Sequence, residues 1–278
     1  MPRQTLLQAQ VWHLPAPECG TTYAGEPSIE IDLTFFVVGV PAVMLAGISK
    51  GGFGSGAAFA AAPLMALIMP PDLALGLLLP LLLVIDAATL RPYWRRWDVA
   101  QSKILLLGAI PGTALGIAFW RIANPDTLRF LIGALAIGFV VMRVIPSLNR
   151  PDKARRSSGK VAGVLAGTAA AFTSFVSHAG GPVTAVYLLS QGLSKTAYQS
   201  TTVLVFAVLN VIKAVAYGFL GAITSETLMG GLYLVPAALA GAWLGVVAHR
   251  AIPERAFFLV TYALLLVAGA KLIFDAVT

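Results

Sequence analysis

The sequence predicts an all-α integral membrane protein made of two pseudo-symmetric halves, and three observations carry that expectation. The first is composition: of 278 residues 58% are hydrophobic and only 11% charged, with a mean hydropathy of +0.84, whereas an ordinary soluble domain carries about 25% charged residues. The second is organisation, since the apolar residues gather into stretches of near-span length joined by short, often basic connections. The third is a pair of similar interruptions, Ser49-Lys50-Gly51-Gly52-Phe53-Gly54 and Ser177-His178-Ala179-Gly180-Gly181-Pro182. Unwound backbone survives at membrane depth only where it is packed inside protein or lines a wet cavity. Matching breaks in two halves of one membrane protein therefore point to a transporter.

Charge and cysteine content exclude other classes. The net charge of +7 comes from basic residues in the connections, where the positive-inside effect places them, so the expected surface partner is the lipid bilayer and not nucleic acid. The single cysteine, Cys19, allows neither an intramolecular disulfide nor a cysteine metal cluster. No metal or cofactor is expected.

The elements follow in order. Residues 1–30 are polar, with Arg3, Glu18, Glu26 and Glu30, and contain no apolar core long enough for a cleavable signal, so the first membrane segment is expected to direct insertion. A first membrane repeat, 31–145, holds apolar stretches at 31–48, 54–69, 73–90, 104–122 and 128–145. A basic linker, 146–160, carries Arg150, Lys153, Arg155, Arg156 and Lys160. A second repeat, 161–278, holds stretches at 161–176, 183–190, 201–220, 228–247 and 256–273. A spanning helix needs about 20 residues, so 183–190 cannot cross alone and is expected to be one arm of a re-entrant hairpin.

The halves also match in detail. Ala109-Ile110-Pro111-Gly112 with Gly116 corresponds to Leu234-Val235-Pro236-Ala237 with Gly241, and Arg121-Ile122-Ala123-Asn124-Pro125-Asp126 to Arg250-Ala251-Ile252-Pro253-Glu254. Proline followed by an acid is an ordinary start for the next helix. Two topologies fit. If each half opens with a re-entrant hairpin followed by three crossings, the repeats are inverted and both termini lie outside, with Arg91, Arg95, Arg96, Lys103, the linker, Lys195, Arg250 and Arg255 inside. If each broken segment crosses once as a kinked helix, the repeats are parallel. The short arm after Gly181 favours the inverted arrangement.

Candidate site residues lie at the breaks and inside the spans. Ser49, Lys50, Gly51 and Gly52 from one half, and Ser177, His178, Gly180 and Gly181 from the other, are expected to meet near the midplane. There glycine lets backbone N–H groups approach an anion and half-helix N-termini add positive potential. The bland alternatives are a snorkelling lysine and a helix-ending histidine. Asp86 and Lys213 lie within spans, where an ionisable residue is expensive and rarely idle. Asn210, Lys213 and Tyr217 share one helical face at three- and four-residue spacing. The alternative there is a packing cluster with Lys213 paired to Asp86, while Asp86 is expected either to couple transport or to pair with Arg91. Ser200, Thr201 and Thr202 could contact an oxyanion but are expected to cap a helix, and Arg91 to Trp97 to form an interfacial belt.

Taken together, Gly51-Gly52-Phe53-Gly54 with Pro63-Leu64-Met65, Gly180-Gly181-Pro182 with Tyr187-Leu188-Leu189, and the Asn210, Lys213, Tyr217 helix resemble the TauE/SafE family of sulfite exporters over residues 31–273. By position the resemblance assigns a first glycine motif to Gly51, Gly52, Gly54 and Gly56 with Pro63, and a second to Gly180, Gly181 and Pro182. Phe53, Ser55 and Ala179 interrupt the fuller glycine runs of the family. The resemblance implies a two-half membrane architecture and transport of sulfur-containing or organic anions. The expected function is secondary transport, as an exporter, of a small anion such as sulfite, an organosulfonate or a carboxylate across a bacterial-type inner membrane. An anion channel is the nearer alternative and an intramembrane hydrolase the remoter, since no Gly-x-Ser-x-Gly elbow or zinc-binding His-Glu-x-x-His pair is present. A phosphate-cradling loop with its lysine is also missing from the sequence, and a homo-oligomer is compatible with it.

Overall fold

A computed structural model describes residues 29–53, 58–144, 159–248 and 254–278, all of them helix, turn or connection, with no strand among the described residues. The order is α1 (Leu33–Ile48), a π-helical turn (Ser49–Phe53), a 3₁₀ turn (Ala58–Ala60), α2 (Ala61–Met65), α3 (Pro71–Leu90), α4 (Val99–Trp120) and α5 (Pro125–Val144). It continues with α6 (Lys160–Ser177), α7 (Gly180–Ser190), α8 (Lys195–Phe219), α9 (Ser225–Ala248) and α10 (Glu254–Val277). Eight helices are long and apolar enough to cross a membrane: α1 with its π turn, α3, α4, α5, α6, α8, α9 and α10. α2 and α7, with 5 and 11 residues, are too short. The polar segment before residue 29, most of the basic linker, Gly54 to Gly56, Arg250 and Pro253 lie outside the described residues.

Local chemistry sets several helix starts. Asp32 and Asp98 accept from the backbone N–H groups of Phe35 and Gln101, each at 2.8 Å, and Ser194 accepts from Ala197 at 3.2 Å; each satisfies a donor that the first helical turn leaves orphaned. The Phe35 N–H holds the Asp32 carboxyl below the usual carboxylate range. Pro125 opens α5 with Asp126 in its first turn, and the matched prolines Pro111 and Pro236 sit inside α4 and α9. Because Ser194 caps α8, Ser200, Thr201 and Thr202 fall inside the helix, which corrects their expected capping role. Their hydroxyls bond elsewhere: Ser200 to the Thr196 carbonyl, Thr202 to the Tyr198 carbonyl, and Thr201 Oγ1 accepts from the Asp98 N–H at 2.9 Å.

Glycines decide which helices touch, because in lipid it is close backbone approach that drives helix association. Along α4, Gly108 lies against Val164 and Gly167, Gly112 against Thr168 and Ala171, and Gly116 against Phe175, so α4 and α6 run parallel in contact. Gly39 lies against Leu234, Gly47 against Ala238 and Ala242, and Gly245 against Ile48, so α1 and α9 do the same. α5 and α10 instead cross antiparallel, with Gly133 and Gly269 facing each other and Phe139 stacked edge-on against Tyr262.

The remaining contacts fix the chain direction at each break. Gly76 of α3 sits by Thr227 and Leu77 by Gly230, so α3 is parallel to α9, and hence to α1. Two neighbouring helices in sequence with the same direction require the chain to return between them. Likewise α4 is parallel to α6, and also to α8, since Asp98 meets Thr201 while Ala109 packs with Phe206 and Leu209. α7 supplies the return: Gly180 lies against Ala170 and Ser174 near the end of α6, and Tyr187 against Gly163 near its start. The predicted arm at 183–190 is thus the latter part of a helix that doubles back along α6.

α3 is central. Its Leu75, Leu77, Leu78, Leu79, Leu81 and Ile85 are buried with Phe175 and Tyr217 in the main apolar core. Large apolar side chains such as Leu107, Phe130, Phe219 and Trp243 are exposed on the outer helices, a surface that suits hydrocarbon and not water.

Candidate functional site: a buried charge cluster between the two breaks

The two breaks are built differently. In the first, a π turn spreads five residues, Ser49 to Phe53, over the end of α1, and such turns recur at functional sites. The carbonyls it frees are met from outside: Gln199 Nε2 donates to the Lys50 carbonyl at 2.9 Å, and the Tyr93 hydroxyl donates to the Gly51 carbonyl at 2.8 Å. Burial pushes the Tyr93 phenol up, so it remains a donor across neutral pH. In the second break, His178 ends α6 in a left-handed conformation at φ 55°, which a non-glycine residue adopts at a cost of roughly 1–2 kcal/mol. Such strain persists only where surrounding contacts impose it.

Those contacts are specific. His178 Nε2 lies 3.2 Å from the Leu75 carbonyl and Nδ1 lies 2.6 Å from Lys213 Nζ. A carbonyl only accepts, so Nε2 carries the hydrogen and Nδ1 accepts from the lysine. The ring is therefore neutral in this arrangement. Lys213 also donates to the Ser174 carbonyl at 2.7 Å and approaches its hydroxyl at 3.3 Å, while the Tyr217 hydroxyl donates to the Phe175 carbonyl.

The carboxylate belongs to the other lysine. Asp86 Oδ1 lies 2.5 Å from Lys50 Nζ, and Oδ2 accepts from Asn210 Nδ2 at 2.7 Å. Asp86 therefore pairs with neither Arg91, which is exposed in the following loop, nor Lys213. The reason is register: Asp86 lies on the buried face of α3 and meets α8 at Asn210, one helical turn from Lys213. Lys50 and Asp86 are each 3% exposed and Lys213 0%. Of the three donors on Lys213, all face neutral partners, and among the described residues no carboxylate oxygen lies within salt-bridge distance of it.

Lys50, Ala58, Leu82, Ser174, His178, Phe206 and Asn210 line one narrow cavity. Of the residues expected at the site, Lys50, His178 and Asn210 face this space, Asp86 sits against two of its walls, and Lys213 lies directly behind Ser174 and His178. Ser49, Gly51, Gly52, Ser177, Gly180, Gly181 and Tyr217 are buried but do not line it. Gly51 and Gly52 abut Ala242 and Gly245 of α9, and Gly180 abuts Ala170 and Phe206, so these glycines serve helix approach in this structure. Ser177 donates to the Thr173 carbonyl at 2.8 Å.

Sequence reasoning missed Ser174, Phe206, Gln199 and Tyr93. Ser174 and Phe206 carried a signal, each lying one helical turn before a chosen residue, His178 and Asn210. Tyr93 was placed in an interfacial belt with Trp94 and Trp97; it is buried and turned inward, whereas Trp94 is exposed. Nothing local distinguishes it from its aromatic neighbours.

A bundle of eight membrane-length helices with a pocket walled by ionisable side chains where two helix breaks meet is an integral, multi-pass membrane protein of the transport class. The chain belongs to the sulfite exporter TauE/SafE family, whose model matches residues 39–272. Comparison with curated proteins and with solved structures finds no match.

Proposed function

We propose that the protein is a secondary transporter that exports a small anion, sulfite, an organosulfonate or a carboxylate, across a bacterial-type inner membrane, and that the cavity between the breaks is its substrate site. One observation carries this: of the two buried lysines only Lys50 has a carboxylate partner, while the contacts of Lys213, behind the cavity wall, are all neutral. An uncompensated charge in a low-dielectric interior is expensive, and an anionic passenger removes that expense. Membership in a family of anion exporters supports the class of cargo and the direction.

The architecture favours alternating access by inverted repeats. α5 and α10 are equivalent segments of the two halves and cross antiparallel at Gly133 and Gly269. Equivalent helices related by a two-fold axis run antiparallel only when that axis is perpendicular to them, in the membrane plane. The reciprocal contacts of α1 with α9 and of α6 with α4 support the same axis. Both described ends of the chain then share one side. Arg91, Arg95, Arg96, Lys103, Arg143, Lys160 and Lys195 gather on the linker side, against Arg121, Arg129 and Lys271 opposite, so the linker side is cytoplasmic by the positive-inside effect.

Purified protein in liposomes loaded with sulfite should show saturable efflux that responds to a proton gradient, and Lys213→Met should reduce it at least a hundredfold while the protein still folds. Undiminished efflux in Lys213→Met would sink the site, and linear, gradient-insensitive flux would make the protein a channel.

A further inference from the structure

Resting on that anion site, we infer that Asp86 sets the valence of the cargo: the site accepts singly charged anions and rejects doubly charged ones of the same shape. Among the described residues the buried, formally charged side chains are Lys50, Asp86 and Lys213. His178 is neutral, with one ring nitrogen donating to the Leu75 carbonyl and the other accepting from Lys213. The Tyr217 hydroxyl donates to a carbonyl and is neutral as well. With both lysines protonated, two ammonium groups and one carboxylate leave a single positive charge.

That single charge is a filter because the cluster is buried. With side chains 0–3% exposed, solvent screens the cluster little, and the interaction of unit charges at contact distance is several times stronger than in water. A monoanion brings the cluster to neutrality. A dianion leaves a net negative charge beside the Asp86 carboxylate, and that carboxylate cannot swing away, since Lys50 holds one oxygen at 2.5 Å and Asn210 the other at 2.7 Å. Discrimination by a built-in like charge is as effective as added attraction for the wanted ligand. Asp86 thereby acts as a specificity-determining residue without being displaced by the substrate.

Methanesulfonate and sulfate test this directly, being tetrahedral oxyanions of similar size whose charges, one and two, are fixed across neutral pH. Their dissociation constants are measured by titration calorimetry on the full-length protein in detergent. Wild type should bind methanesulfonate at least tenfold more tightly than sulfate. Asp86→Asn, which keeps an acceptor for Asn210 and raises the cluster to two positive charges, should move that ratio at least tenfold toward sulfate. Lys50→Met with Asp86→Asn restores one positive charge and should restore the wild-type ratio, and this double variant also serves if Asp86→Asn alone fails to fold, because it leaves no unpaired buried charge beyond the one wild type already carries at Lys213. Equal affinities in wild type, a ratio unmoved in Asp86→Asn, or a double variant that favours sulfate would each overturn the inference while leaving the anion site standing. Wild type that binds neither anion would instead remove the site itself.

Discussion

Lys50 and Lys213 are both buried, Lys50 in the cavity wall and Lys213 behind it, and their surroundings differ. Lys50 rides on the π turn that ends α1 and has a carboxylate at 2.5 Å. Lys213 projects from an unbroken helix of the second half and is held by a carbonyl, a hydroxyl and an imidazole nitrogen. The paired lysine ties three elements together: its ammonium meets α3 through Asp86, and its carbonyl receives Gln199 of α8. In the proposed site, the lysine with neutral partners is the one assigned the charge that a ligand would feel. Two identical side chains thus take different roles because one has a counter-ion in the fold and the other lacks one.

The largest expected effect separates those roles. Lys213→Met should abolish anion binding with little loss of stability, since its partners are neutral and a methionine fills nearly the same volume. Asp86→Ala should do the reverse to the fold, destabilising it by about 3–5 kcal/mol because Lys50 is left charged and unpaired in the interior. Thermal unfolding alongside binding reads both quantities. A variant of Lys213 that unfolds like Asp86→Ala would show that the two lysines are equally structural and erase the distinction.

The next effect concerns the interfaces that bring the breaks together. A methyl group on Gly112 would press into the Thr168 carbonyl and Ala171 of α6, and one on Gly47 into the backbone of α9. Gly112→Ala and Gly47→Ala should each destabilise by about 1–3 kcal/mol, as overpacking of a close interface does, while Gly138→Ala, with open space at its Cβ, should be neutral. Equal tolerance at all three positions would refute close glycine packing. These stripes were visible as Gly108, Gly112 and Gly116, Gly163 and Gly167, and Gly241 and Gly245, at four-residue spacing in apolar helices. Gly112, Gly116 and Gly241 entered the sequence reading only as marks of a repeat.

That oversight illustrates what the sequence exposes. Spans, breaks and the matched prolines follow from hydropathy and from residues with restricted backbones, which act locally. The share of charge between Lys50, Asp86 and Lys213 follows from the rotation and register of α1, α3 and α8 against one another, and nothing within a single segment encodes that. Spacing placed Asn210 and Lys213 on one face; only packing showed that Asp86 meets the first and not the second. Gly51, Gly52 and Gly180 were legible as breaks but not as helix contacts for a related reason, since a glycine that admits a ligand and one that admits a neighbouring helix look alike in sequence.

His178 offers a smaller and sharper contrast. His178→Gly relieves the left-handed strain of roughly 1–2 kcal/mol but deletes the acceptor for Lys213. It should melt within a few degrees of wild type yet bind anion at least tenfold more weakly. His178→Ala loses the acceptor and keeps the strain, so it should bind as weakly and melt lower. If the glycine variant melts below the alanine variant, the left-handed strain at this break is smaller than the extra unfolded-state entropy of glycine.

The smallest effect tests how the first break is held. Tyr93→Phe removes one hydrogen bond to the Gly51 carbonyl and should destabilise by about 1 kcal/mol, leaving anion valence preference unchanged because Tyr93 does not line the cavity. The pH dependence has a definite sign. Burial raises the Tyr93 phenol above its ordinary value of 10.0, so the folded state binds that proton more tightly than the unfolded chain. The stabilisation it gives is complete below pH 10, falls as pH rises through the folded-state value, and should be missing from Tyr93→Phe. Melting curves of the two proteins should therefore converge as the pH is raised into the strongly alkaline range. A gap that stays constant there would mean that the phenol oxygen contributes by filling space and that the π turn is held by Gln199 alone.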